Sequence, residues 1–189
     1  MGDTPIEYFT SMYAEQPDPW GFDTSWYERR KYALTLASLP DRRYRRAVEA
    51  GCANGALTEL LAPRCDELFA FDFHDDAVQR AAERLRGHAH VDVRRGTYPD
   101  DWPEGTGDLV VWSEVAYYLS DESAERAIHG LQRWLEPAGV LVAVHYTGDT
   151  DYPRRGADIG PWLDGVGDLQ RVTTIVDPRF ELGVWTRDA

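Results

Sequence analysis

The chain has 189 residues, a hydrophobic fraction of 43% and a formal net charge of −13, which predict one acidic globular domain over residues 1–189. An acidic protein repels a phosphate backbone, so we expect no nucleic-acid partner. We recognise no signal peptide, no apolar run near the ~20 residues of a membrane span and no disulfide spacing of the two cysteines. We therefore expect a cytoplasmic protein without membrane contact.

The amino-terminal region, residues 1–40, is predicted to form an aromatic arm and a helix. Prolines and aromatic residues in 1–24 predict a short helix over 5–14 and then irregular chain. A second helix is predicted over 26–38, with Ser25 at its N-cap. The apolar face of this helix comprises Tyr27, Leu34 and Ala37.

Strand and helix patterns alternate after a basic run at 42–46, which we interpret as a solvated loop. The predicted elements are, in chain order, strand 47–50, helix 55–61, strand 67–72, helix 75–86, strand 91–94, a loop over 96–107, strand 108–112, helix 121–135, strand 140–144, helix 158–165, and strands 169–176 and 180–186.

The connections between the predicted strands indicate the fold. Parallel neighbours need a crossover of about a dozen residues or more, and the last two strands are joined by only 177–179. They are therefore predicted to be antiparallel partners. The sequence predicts an α/β fold of three layers: a Rossmann-like, seven-stranded, mostly parallel sheet with an antiparallel carboxyl-terminal hairpin.

The turn after the first core strand is the main candidate binding motif. Gly51, Ala53 and Gly55 follow this strand and open a helix, and Asp72 ends the next strand. Small residues let the backbone approach a ligand, and an acid at the next strand end can accept the hydroxyls of a ribose. The pattern is typical of a nucleoside site. An ordinary strand-to-helix turn is the alternative.

Several motifs over about residues 17–146 resemble class I S-adenosylmethionine-dependent methyltransferases, and within them the nodulation protein S family of small bacterial N-methyltransferases. These motifs are Asp18-Pro19-Trp20, Tyr27-Glu28-Arg29-Arg30-Lys31, Glu49-Ala50-Gly51-Cys52-Ala53-Asn54-Gly55, Leu61-Ala62-Pro63, Asp72, Ser113-Glu114-Val115-Ala116-Tyr117-Tyr118-Leu119 and Leu135-Glu136-Pro137-Ala138-Gly139.

The resemblance implies S-adenosylmethionine as cofactor and S-adenosylhomocysteine as product. It places Glu49 near the methionine ammonium, folds the arm with Trp20 over the cofactor, and directs Lys31 to the cofactor carboxylate. Packing for Trp20 and solvation for Lys31 are the alternatives. The full set of expected cofactor residues is Trp20, Lys31, Glu49, Gly51, Cys52, Ala53, Gly55, Asp72, Phe73, Gly96, Thr97 and Ser113.

Three departures from the family pattern affect these expectations. Ala53 stands where many relatives have glycine. The usual acid after the third strand is replaced by Gly96-Thr97-Tyr98, so adenine recognition is expected from backbone groups or the Thr97 hydroxyl. Residues 147–189 match weakly, and substrate choice is expected to reside there.

The expected acceptor site lies beyond the fourth and fifth strands. His145 ends the fifth strand, and an imidazole with a pKa near ~6.5 suits a general base; a structural histidine is the alternative. Glu114, Tyr117 and Tyr118 follow the fourth strand and are expected to contact the substrate, with packing as the alternative for the tyrosines. The remaining histidines lack metal-ligand spacing, so no metal is expected.

These observations predict a methyltransferase that acts on a small polar acceptor, preferably an amine of a sugar or secondary metabolite, as a monomer or homodimer. The alternatives are a small-molecule O-methyltransferase, a nicotinamide-dependent oxidoreductase or epimerase, and a non-catalytic cofactor-binding or partner-binding module.

Overall fold

The structure, a computed structural model, describes residues 2–16 and 18–188. The ends of the predicted domain, Met1 and Ala189, and Pro17 of the predicted arm lie outside the described residues. The helices are α1 (Ile6–Glu15), α2 (Trp26–Ser38), α3 (Ala56–Leu61), α4 (Asp75–Arg84), α5 (Asp121–Trp134) and α6 (Gly156–Asp164). The strands are β1 (Tyr44–Ala50), β2 (Cys65–Asp72), β3 (Val91–Arg95), β4 (Gly107–Ser113), β5 (Leu135–Tyr146), β6 (Leu169–Val176) and β7 (Phe180–Arg187).

The seven strands form one sheet in the order β3-β2-β1-β4-β5-β7-β6. The first five strands pair in parallel. β7 pairs antiparallel with β5 on one side and with β6 on the other. The link between β6 and β7 is too short for the crossover that parallel neighbours need. The predicted mostly parallel sheet with an antiparallel carboxyl-terminal hairpin is confirmed.

The helices cover both faces of the sheet, as β4 shows. Val110 and Trp112 pack on one face in a core cluster that includes residues of α5 and α6. Leu109 and Val111 pack on the other face in a cluster that includes residues of α2 and α3. Since successive strand residues point to opposite faces, the continuous apolar run of β4 is explained by burial on both sides.

The basic run was only partly predicted correctly. β1 begins at Tyr44 and includes Arg45 and Arg46, so a solvated loop over 42–46 is wrong for its second half. The backbone N–H groups of Arg45 and Arg46 donate to the carboxylate of Asp108, at 2.8 and 2.9 Å. This side chain at the start of β4 fixes the run within the sheet.

The inner face of α2 also differs from the prediction. The buried residues of this helix are Glu28, Lys31, Tyr32 and Thr35, whereas Ala37 is exposed. α2 therefore buries a charged pair, Glu28 and Lys31, beside Tyr32 and Thr35, while Tyr27 and Leu34 of the predicted apolar face are only partly buried against the core.

Other boundaries differ by a few residues. α4 ends at Arg84, and β5 begins at Leu135, five residues before the predicted strand 140–144. Among the described residues, no helix is long and apolar enough to cross a bilayer.

Candidate active site

A cavity of about 560 Å³ opens beyond the carboxyl ends of β1, β2 and β4, beneath the amino-terminal arm. This is where open α/β sheets bind ligands, and the volume suits a small molecule. All the expected site residues line it except Gly55 and His145. The expected residues along its wall are Trp20, Lys31, Glu49, Gly51, Cys52, Ala53, Asp72, Phe73, Gly96, Thr97, Ser113, Glu114, Tyr117 and Tyr118.

The turn after β1 adopts a left-handed backbone at three positions. Gly51, Ala53 and Gly55 have φ angles of 69°, 47° and 78°. A Cβ on Gly51 would lie 2.4 Å from a methyl carbon of Val115, so this position requires glycine. Ala53 adopts a left-handed conformation that favours glycine.

Gly55 supports the site without lining the cavity. A Cβ at this position would lie 3.0 Å from the Cα of Ala81 in α4. Its expected cofactor contact is therefore corrected to close packing of α3 against α4. The neighbouring Asn54, which we did not predict, does line the cavity, and its amide donates to Asp23 at 3.1 Å. The position of Asn54 between Ala53 and Gly55 is the feature of the sequence that could have predicted its place in the cavity wall.

Glu49 lies at the floor of the cavity with an unsatisfied carboxylate. Its exposed fraction is 2%, and its Oε2 has no hydrogen-bond partner among the described residues. Burial raises the pKa of Glu49 to about 8. A buried carboxylate oxygen that lacks a partner is costly, and a cationic group of a ligand would satisfy it.

Asp72 organises the turn and faces the same cavity. Its Oδ2 accepts from the backbone N–H of Ala53 and its Oδ1 from that of His74, both at 3.0 Å. Burial raises the pKa of Asp72, although these hydrogen bonds oppose the shift. Each carboxylate oxygen can accept more than one hydrogen bond, so capacity remains for ligand hydroxyls.

The segment after β3 narrows the ways in which an adenine can be held. The backbone N–H of Gly96 donates to the carbonyl of Asp72, and that of Thr97 donates to Asp101 at 2.7 Å. Two backbone donors of this segment are therefore already engaged. The expectation for adenine recognition then rests on its other backbone groups and on the Thr97 hydroxyl, and Thr97 and Tyr98 line the cavity.

Lys31 lies between two carboxylates. Its exposed fraction is 1%, and its Nζ donates to Glu28 at 3.1 Å and to Glu114 at 2.6 Å. It lines the cavity as expected, but both ion pairs exist before any ligand arrives. The solvated alternative is wrong. The expected contact with a cofactor carboxylate has to compete with two protein carboxylates.

Glu114 connects this ion pair to the expected acceptor residues. Its backbone is left-handed, with a φ angle of 59°. Its Oε2 accepts from the Tyr117 hydroxyl and from the backbone N–H of Tyr146, the latter at 2.9 Å. Burial alone would raise the pKa of Glu114, but the Lys31 charge and these hydrogen bonds hold it below its ordinary value. Glu114 is therefore an ionised acceptor in the cavity wall.

His145 does not reach the cavity, contrary to the expectation of a general base. Its exposed fraction is 1%, and it faces Gly156 and Ile159 of α6. Its Nε2 accepts from the backbone N–H of Ala116 at 3.0 Å. Burial lowers the pKa of His145 to about 4, so at pH 7 the ring is neutral with its proton on Nδ1. This geometry favours the structural alternative, in which His145 holds the segment that carries Tyr117.

The buried imidazole has a measurable consequence for stability. Its pKa is about 4 in the folded chain against an ordinary value of 6.5, so the unfolded chain binds more protons between these values. The free energy of unfolding should then fall as pH is lowered from 6.5 to 4, with His145 contributing about 3 kcal/mol of that fall. His145→Gln, which keeps an acceptor but does not titrate, should show a smaller fall in urea unfolding. Equal slopes in the two proteins would contradict this assignment.

The amino-terminal arm closes the cavity from above. The Asp3 carboxylate accepts from the backbone N–H of Ser120 at 2.6 Å and from the Ser123 hydroxyl at 2.7 Å. The backbone N–H of Thr4 donates to the carbonyl of Tyr118 at 2.9 Å. Trp20, on the same arm, lines the cavity. The arm is thus attached to the start of α5.

Aromatic residues outside the prediction complete the wall. Phe9 and Tyr13 face the cavity from α1. They lie four residues apart in the sequence, a spacing that places both on one face of a helix and could have predicted their burial. Tyr152, in the loop after β5, stacks on Tyr117 with 5.0 Å between ring centres. It also meets Tyr118 edge to face at 4.6 Å. We call the region around Glu114, Tyr117, Tyr118 and Tyr152 the acceptor end of the cavity.

No group of three histidine, cysteine or acidic side chains within the described ranges is placed to bind a metal ion. At one end of the cavity lies the small-residue turn with two acids, Glu49 and Asp72. At the other end tyrosines surround the ionised Glu114.

Comparison with known proteins places this geometry in context. The family described as nodulation protein S (NodS) matches residues 11–145. A nodulation protein S from Rhizobium tropici is 39% identical over 127 residues, which cover 66% of this chain and 53% of that protein. The chain thus spans about half the length of this relative.

Two solved structures are similar over most of the chain. A protein from Pseudomonas syringae described as a methyltransferase is 39% identical, with a TM-score of 0.77 over 86% of this chain and 100% of the other. The N-methyltransferase NodS from Bradyrhizobium japonicum WM9, in complex with S-adenosyl-L-homocysteine, is 26% identical. Its TM-score is 0.82, over 99% of this chain and 100% of the other.

Proposed function

Because the chain belongs to the nodulation protein S family, we propose that it transfers a methyl group from S-adenosylmethionine to the nitrogen of a small polar amine, carried by a sugar or another secondary metabolite. The predicted family and fold are confirmed. The N-methyltransferase among its structural neighbours supports the activity. One end of the cavity has groups that suit the cofactor, and the other end has groups that suit an amine acceptor.

The cofactor end carries the proposal. The single most telling observation is the buried Glu49 oxygen without a partner, in the same cavity as the left-handed turn and Asp72. Glu49 would meet the methionine ammonium, Asp72 would accept the ribose hydroxyls, and the turn lets the backbone approach closely. When bound, the cofactor supplies a sulfonium-activated methyl group.

The acceptor end favours nitrogen over oxygen. With His145 outside the cavity, and with burial raising the pKa of Tyr117 and Tyr118, these residues offer no base for an alcohol. An amine needs only to arrive neutral. The ionised Glu114 can then accept a hydrogen bond from the amine. The tyrosines exclude water and hold the amine nitrogen in line with the methyl group that it receives. O-methylation is therefore the weaker alternative.

Family membership also argues against the nicotinamide-dependent and non-catalytic alternatives. A small-molecule acceptor, a cytoplasmic location and a monomer or homodimer remain predictions of the sequence.

Calorimetry tests the proposal without knowledge of the acceptor. The protein should bind S-adenosylhomocysteine with a micromolar or lower dissociation constant and should not bind NAD measurably. Glu49→Gln should weaken binding, while Glu83→Gln, an exposed acid on α4, should not. Binding of NAD without binding of S-adenosylhomocysteine would overturn the proposal.

The raised pKa of Glu49 makes cofactor binding depend on pH. At pH 6 most of the free protein carries a protonated Glu49, since its pKa is about 8 against an ordinary 4.5. Pairing with an ammonium requires the ionised form, so binding releases a proton. The affinity for S-adenosylhomocysteine should then rise about tenfold per unit between pH 6 and 7.5.

The window stops at pH 7.5 because an α-amino group itself deprotonates near ~7.7–8.0. Glu49→Gln should show a nearly flat profile by calorimetry over the same range. A wild-type profile as flat as that of the variant would mean that Glu49 is ionised before binding.

A further inference from the structure

The turn between β6 and β7 reaches into the acceptor end of the cavity. Arg179 in this turn lines the cavity together with Tyr27 and Tyr146. The backbone N–H of Arg179 donates to Asp177 at 3.0 Å, and its carbonyl accepts from the backbone N–H of Thr147 at 2.9 Å. The turn is therefore held in position before a ligand arrives.

Arg179 is a cation that the cavity does not neutralise. Of the two basic side chains in the described cavity wall, Lys31 lies between Glu28 and Glu114. Arg179 makes no ion pair within residues 2–16 and 18–188; its guanidinium instead lies 4.1 Å from the ring centre of Tyr27. Near Lys31 a ligand anion would meet two carboxylates and one ammonium, so the net charge there is negative. Near Arg179 it would meet a guanidinium that forms no ion pair with the described residues.

Tyr27 contributes a second donor without a partner. Its hydroxyl oxygen is buried and makes no hydrogen bond to any described residue. Burial raises the pKa of Tyr27 far above its ordinary value, so the hydroxyl keeps its proton and can only gain by donating to an acceptor. Guanidinium and phenol donors on one wall match an oxyanion.

The position of Arg179 separates it from the cofactor. Glu49 belongs to β1, and Arg179 precedes β7, three strand spacings away in the order β1-β4-β5-β7, or roughly 14 Å. The ring of Tyr27 lies 4.9 Å from Nζ of Lys31, which bonds Glu114. Tyr27 therefore adjoins the acceptor end.

We propose that Arg179 and Tyr27 bind a carboxylate or phosphate group of the acceptor, so that the substrate is an amine that also carries an anionic group. This inference rests on the proposed function. Glu114 would receive the amine, and the Arg179 seat would fix the other end of the molecule. The spacing between the two would select substrates by length.

A binding experiment on the complex with S-adenosylhomocysteine tests this proposal with three probes. They are 3-aminopropylphosphonate, which has both groups, 3-amino-1-propanol, which lacks the anion, and propylphosphonate, which lacks the amine. The wild type should bind the first about ten- to a hundredfold more tightly than the second. Arg179→Gln should remove this difference, and Tyr27→Phe should reduce it.

Arg94→Gln serves as the matched control, because Arg94 pairs with Asp92 on the exposed side of β3, and it should retain the preference. Equal binding of the first two probes to the wild type would overturn the inference and leave the proposed function intact. A tenfold loss of S-adenosylhomocysteine affinity in Arg179→Gln would also overturn it, by assigning Arg179 to the cofactor carboxylate. Failure of the wild type to bind S-adenosylhomocysteine would instead refute the proposed function.

Discussion

Asp72→Ala is expected to weaken S-adenosylhomocysteine binding at least about a hundredfold. In the proposed complex Asp72 accepts two charge-assisted hydrogen bonds from the ribose, and the substitution would remove both, each contributing ~1.5–3 kcal/mol. It also removes the acceptor for the backbone N–H groups of Ala53 and His74, so the turn loses its fixed shape. Calorimetry at pH 7.5 measures the change in dissociation constant.

The control is Asp76→Ala, an exposed acid in the first turn of α4, which should bind like the wild type. Asp72→Asn, which keeps the size of the side chain, should also bind weakly and guards against loss of folding. A folded Asp72→Ala protein with affinity within threefold of the wild type would refute the assignment.

Lys31→Met is expected to lower the free energy of unfolding by about 3–5 kcal/mol, because it leaves the buried carboxylate of Glu28 and the partly buried carboxylate of Glu114 without their cation. Glu28 and Glu114 both bond Lys31. The side chain of Glu28 is 6% exposed and that of Glu114 is 18% exposed, so Glu28 should account for most of the loss. Urea unfolding at pH 7 measures the loss. The loss should shrink at lower pH, where the two acids can take up protons.

Arg30→Met provides the comparison on the same helix. Arg30 also pairs with an acid, Asp177, but its side chain is 45% exposed, so its loss should cost no more than about 1 kcal/mol. If Lys31→Met and Arg30→Met lowered the free energy of unfolding equally, burial of the Lys31 ion pairs would not explain the loss.

The cofactor end was predictable because its chemistry is local. The turn of Gly51 and Ala53 follows β1 directly, and Asp72 ends the adjacent strand. Backbone conformation, strand ends and parallel neighbours are all encoded within a few residues or one crossover. Gly55 was assigned to the wrong partner because its contact, Ala81, comes from another helix.

The errors arise where distant segments decide burial. His145 lies one residue before the end of β5, close to its predicted place, but α6 returns over that end and encloses it. Likewise, the inner face of α2 is polar because Glu114, 83 residues after Lys31, supplies a counter-charge. Hydrophobic periodicity alone does not predict a buried face that carries charges, because it assigns charged residues to the solvent-exposed side of a helix.

The acceptor end was predicted only in part for the same reason. Glu114, Tyr117 and Tyr118 were found through a motif within one segment. Tyr27, Tyr152 and Arg179 come from three elements far apart in the chain and meet only in the folded protein.

The place of β7 bears on how the protein is made. Although it follows β6 in the chain, it lies between β5 and β6 in the sheet. Until Phe180–Arg187 emerge, the edge of β5 opposite β4 lacks the strand with which it pairs in the folded protein, and residues 140–144 of β5 are all apolar. Open apolar edges pair with other chains. A polypeptide that stalls or is cut before residue 180 should therefore collect in aggregates, and quality control in the cell would have to remove it.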